Sequence, residues 1–104
     1  MSGGRENDVE MKPLYCWGIF SPKDPLYAES CGEMEAESIV DVLRAVISEH
    51  FNAKNLEICV NSSGNVYGVF TTVDGREMEF TGKSSGADSL CIELDDYKIE
   101  IVKY

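Results

Sequence analysis

His50 is the only histidine in the chain, and it is joined by four cysteines, Cys16, Cys31, Cys59 and Cys91. Nucleophilic chemistry would have to be built from these residues. A cysteine nucleophile needs a base within hydrogen-bond reach to take its proton. No cysteine neighbours His50 in sequence, and His50 falls on or beside an apolar helical stripe, the ordinary setting of a structural histidine. The cysteines include no Cys-x-x-Cys pair, the close ligand spacing that structural zinc uses. Three of them lie in strand-like runs, where a thiol packs as a small hydrophobe. Gly64, Gly68, Gly75, Gly82 and Gly86 stand at turns or singly in strands, so no phosphate-cradling loop is present. Asp95-Asp96 lacks the alternating oxygen ligands of a calcium loop. Acid–base catalysis by carboxylates requires a cleft that perturbs their pKa values, and no buried pair is signalled. The expectation is no enzyme, no catalytic residue, no metal and no cofactor.

The carboxylates matter in another way. The 104 residues include 19 acidic and 9 basic side chains, for a net charge of −10. That balance repels nucleic-acid phosphates and anionic membrane surfaces, and it attracts basic protein surfaces. No apolar run reaches the ~18 residues of a membrane span. Residues Met1 to Met11 are polar, without the apolar centre of a signal peptide. They read as a flexible leader, with Met11 as an alternative start, and residues 12–104 read as one domain. Four thiols without a secretory signal point to a reducing cytoplasm.

Periodicity defines the elements that must position these groups. The run from Leu14 to Phe20, bounded by Pro13 and Pro22, predicts a strand inside the sheet or covered on both sides. Residues Ser21 to Tyr27 predict a loop. Ser30-x-x-Glu33 has the form of a capping box, and Glu33, Glu35 and Glu37 crowd what would be the first turns of a helix. Ile39, Leu43, Val46, Ile47, His50 and Phe51 form one stripe at helical spacing, so a helix is expected over about 34–52. From Leu56 onward the pattern alternates with period two, interrupted at Ser63-Gly64, Asp74-Gly75, Gly82 to Asp88, and Asp95-Asp96. The predicted fold is α+β, ordered β-α-β-β-β-β-β, with one amphipathic helix on a mainly antiparallel sheet that runs as a meander after the helix.

Treating the three short interruptions as two-residue hairpin turns sets the register. Val60 then faces Tyr67, Val69 faces Phe80, and Ile92 faces Ile99. The same register places Glu57, Phe70, Glu79, Cys91 and Glu100 in one row on the face away from the helix. Beside it runs a second row of Asn55, Thr72, Glu77, Glu93 and Lys98. The expected binding surface is therefore acidic, with Phe70 as an aromatic anchor flanked by Glu57, Glu77, Glu79, Glu93 and Glu100. A second acidic zone on the helix flank comprises Glu33, Glu35, Glu37 and Asp41.

In size, acidity and α+β layout the chain resembles two groups of small proteins: phage-encoded inhibitors of bacterial defence, anti-CRISPR proteins among them, and immunity proteins that neutralise nuclease toxins. The resemblance is one of shape and charge over the whole chain and rests on no single residue. It implies an inhibitor that blocks a basic nucleic-acid-binding site on a partner protein, carboxylates standing in for phosphates. The partner would then be a nucleic-acid-handling protein, with no direct contact to nucleic acid. The competing expectation is a structural subunit that forms a homodimer through an edge strand, either the first strand or the last, Tyr97 to Tyr104.

Overall fold

A computed structural model describes residues 12–21 and 28–104. The expected leader, residues 1–11, and most of the expected loop at 21–27 lie outside the described residues. Seven strands and one helix follow in the order β1 (Leu14–Phe20), β2 (Ala28–Glu35), α1 (Ile39–Phe51), β3 (Lys54–Val60), β4 (Asn65–Thr71), β5 (Glu77–Ser85), β6 (Ser89–Leu94) and β7 (Tyr97–Lys103). The strands form a single antiparallel sheet, ordered β2-β1-β7-β6-β5-β4-β3. The α+β class and the meander after the helix agree with the sequence expectation.

The helix buries Ile39, Val42, Leu43, Val46 and Ile47. Against them pack Tyr15 and Ile19 of β1, Phe70, Phe80, Leu90, Ile92 and Leu94 of the meander, and Ile99 and Ile101 of β7. At the helix C-terminus Phe51 lies between Phe70 and Tyr97, with ring centroids 6.0 and 5.7 Å away. Ser38 caps the other end, its hydroxyl accepting from the Asp41 amide at 3.3 Å, which satisfies one of the first-turn donors. Asn52 ends the helix in the left-handed region at φ 51°.

Residues 28–35, expected to lead into the helix, form a strand instead. Ser30, Gly32 and Met34 turn inward and Cys31, Glu33 and Glu35 outward, and the whole run pairs with β1. That period-two alternation overrides the capping-box pattern. The helix consequently starts at Ile39, not near 34. The first strand is interior, as expected, but so is the last: β1 and β7 pair with each other, with Ile19 opposite Ile99. The sheet edges are β2 and β3, so edge-to-edge dimerisation through the first or last strand is not available.

Two of the three hairpin registers differ from expectation by one residue. Val60 pairs with Val66, not Tyr67, and Val69 pairs with Glu79, not Phe80. Both loops hold three residues, closed by a glycine with positive φ: Gly64 at 85° and Gly75 at 89°. In the first, the Asn61 carboxamide oxygen accepts from the Ser63 and Asn65 amides, each at 2.9 Å. In the second, the Thr72 amide donates to the Arg76 carbonyl at 2.8 Å, and the Gly75 amide to the Thr72 carbonyl at 3.0 Å. The extra loop residue slips each register by one. The Asp95-Asp96 turn is the expected two-residue kind, with Leu94 opposite Tyr97 and Ile92 opposite Ile99.

Candidate functional site

The slipped registers dismantle the expected acidic row. Phe70 pairs with Met78 on the helix side and is 1% exposed, so it belongs to the core and cannot anchor a partner. Thr72 lies outside β4 and closes its turn, and Glu77 stands opposite Thr71 rather than beside Glu93. The open face carries different rows, which the pairing gives directly. One is Glu57–Val69–Glu79 and the next Cys59–Tyr67–Thr81–Glu93–Lys98–Phe20. A third runs Asn65–Lys83–Cys91–Glu100–Gly18–Cys31. Beyond it, Val102 and Cys16 lead to Glu33 at the β2 edge.

Of the predicted binding residues, the fold brings Glu57, Glu77, Glu79, Glu93 and Glu100 to this one face. Glu33 and Glu35, expected on the helix, join them from β2. Asp41 stays on the helix, and Glu37 is exposed just before Ser38. Tyr67, 48% exposed, is the aromatic that sequence reasoning missed. Correct three-residue loops would have revealed it, because shifting β4 by one residue exchanges Phe70 for Tyr67 on the open side. No described helix or strand packs over this face. The acids are partly balanced by Lys54, Lys83 and Lys98.

Local partners set the electrostatics. Lys98 lies 3.3 Å from Glu100, and that hydrogen bond holds its ammonium above the usual lysine range. Burial pushes the Cys91 thiol up, while the neighbouring Lys98 opposes the shift. The Tyr104 hydroxyl donates to Glu33; that bond, with a contribution from Cys16, pushes the phenol up to about 12. Among the described residues neither Glu57 nor Glu79 has an ion-pair partner.

All four cysteines lie on the open face, whereas His50 sits on the helix with Glu29 at 3.8 Å and the Phe51 ring edge-on at 4.7 Å. The sheet separates thiols from imidazole, so a Cys–His relay is not formed. Among the described residues no charged side chain is buried, and no three potential ligands converge on a metal-sized site. No described helix is long and apolar enough to cross a membrane. No protein family, curated protein or solved structure matches the chain.

Proposed function

We propose that the chain is a non-catalytic binding protein that docks its open sheet face on a basic surface of a partner protein. One observation carries this reading. The single described helix covers one side of a seven-stranded sheet, and the other side presents Glu33, Glu35, Glu57, Glu77, Glu79, Glu93 and Glu100 around exposed Tyr67 and Val102. Exposed apolar side chains set in a field of net negative charge suit recognition of a basic protein surface, with the field steering the encounter and the apolar contacts slowing dissociation. A protein that handles nucleic acid supplies a matching surface, because groups that bind phosphates also bind rows of carboxylates. Blocking such a site would make the chain an inhibitor acting in the cytoplasm of the cell where its target works.

The test is a pull-down at low salt, repeated at 0.5 M salt, with the triple variant E57K/E79K/E93K as comparison. The reading expects basic nucleic-acid-binding proteins, lost at high salt and lost in the triple variant. Recovery of only neutral or acidic proteins, or binding indifferent to salt, would sink it.

A second reading, a homodimer, is favoured by the β3 edge, where Leu56 and Ile58 are half-buried and Val60 is 43% exposed. Unpaired edge strands template further pairing. Light scattering across a hundredfold concentration range decides it, since a constant monomer mass removes this reading.

A further inference from the structure

We propose that the cleft over β4 receives a single arginine side chain, a site that rests on the basic-partner reading and narrows it to one place. The cleft is lined by Glu57, Cys59, Tyr67, Val69, Glu79 and Thr81, and its volume is about 260 Å³. Sites for drug-sized molecules run from roughly 300 to 1,000 Å³, so this space suits one side chain.

Its chemistry is arranged by register. Val69 stands directly between Glu57 and Glu79, whose Cα atoms are about 10 Å apart across two strand spacings. Two carboxylate oxygens that clasp a guanidinium from opposite sides sit roughly 8 Å apart at charge-assisted hydrogen-bond lengths, a separation these flexible side chains reach. In the adjoining row, Cys59, Tyr67 and Thr81 extend the floor. An aliphatic stem would lie along Val69 and the Tyr67 ring while the planar head bridges the two acids. Tyr67 adds a cation–π surface that favours the flat guanidinium over an ammonium.

Charge complementarity singles out this cleft. Its only charged residues are the two glutamates. A larger cleft holds Lys83 together with Glu100, and the cleft beside Gly18 holds only Glu100, already paired with Lys98. The cleft under the helix holds His50 against Glu49, with Glu29 at 3.8 Å.

The experiment is an amide NMR titration of the full chain with the capped peptide Gly-Ser-Arg-Ser-Gly, run beside its lysine and citrulline counterparts. The expected result is that the arginine peptide shifts the amides of Glu57, Tyr67, Val69 and Glu79, the lysine peptide binds more weakly, and the citrulline peptide is silent. E57Q/E79Q should weaken arginine binding about tenfold, the sum of two exposed charge pairs, and Asp41→Asn on the helix side should change it less than twofold. E79Q alone serves if the double variant does not fold. Shifts spread over Glu33, Glu93 and Glu100 without Val69 would overturn the cleft while leaving the acidic-face reading intact. Equal binding of lysine and arginine would overturn the arginine assignment. No response to any cationic peptide, with salt-sensitive partner capture retained, would also overturn the cleft alone; loss of both would end the two readings together.

Discussion

Gly68 shows how one missing side chain organises the core. The Phe80 ring lies over it so closely that a Cβ there would sit 1.9 Å from the ring's Cζ. Gly68→Ala should therefore cost about 2–3 kcal/mol through forced repacking, measured by urea denaturation. Tyr104 carries a pH prediction. Its folded-state pKa is raised to about 12, so the hydrogen bond to Glu33 stabilises the fold fully below the unfolded value near 10 and is lost as pH rises through 12. Ultraviolet titration should show the Tyr104 phenol ionising above the ordinary value near 10, and Glu33→Gln should bring it back toward that value. Individual residues were the least legible level of the sequence. The helix stripe and the core positions of β5, β6 and β7 were readable from period alone, but β4 reads with the opposite parity, because Phe70 and Tyr67 are both aromatic in one strand. Only the loop length decides which of them faces solvent.

At the scale of elements, the two three-residue hairpins determine what the open face displays. Their glycines have similar φ but different surroundings. Nothing lies within 4 Å of a Cβ placed on Gly75, whereas one on Gly64 would meet the Ser84 carbonyl oxygen at 2.7 Å. Gly75→Ala should cost about 1–2 kcal/mol from the left-handed backbone alone, and Gly64→Ala clearly more, because it also disturbs the Ser84 amide's 2.7 Å bond to the Gly64 carbonyl. Thermal unfolding of the two variants side by side checks the ordering. The presence of turns at these places was readable from Asp-Gly and Ser-Gly, but a dipeptide does not say whether two or three residues form the loop. Strand β2 was hidden for a different reason. Its outward glutamates imitate an acidic first helical turn, and its inward positions are only Ser30, Gly32 and Met34, too small and mixed to announce a buried strand face.

At the scale of the molecule, the α+β class and the one-sided helix were legible because composition and periodicity act locally. Strand order was not, because it depends on which distant strands meet: β1 and β7 pair with Ile19 opposite Ile99, a contact that closes most of the chain. The helix links β2 at one edge of the sheet to β3 at the other. Where β1 begins and β7 ends, the Tyr104 amide donates to the Leu14 carbonyl at 3.0 Å. These facts together make the strand order β3-β4-β5-β6-β7-β1-β2 cyclically sequential, interrupted only between β7 and β1. A circular permutant that joins Tyr104 to Lys12 through a short linker and opens between Ala53 and Lys54 would turn the sheet into one uninterrupted series of antiparallel neighbours, with the helix last. Its mean contact separation drops, so stopped-flow refolding should be on the order of tenfold faster than for the natural connectivity. The same open face should be preserved, since permutation changes the path of the chain and leaves every strand pair in place.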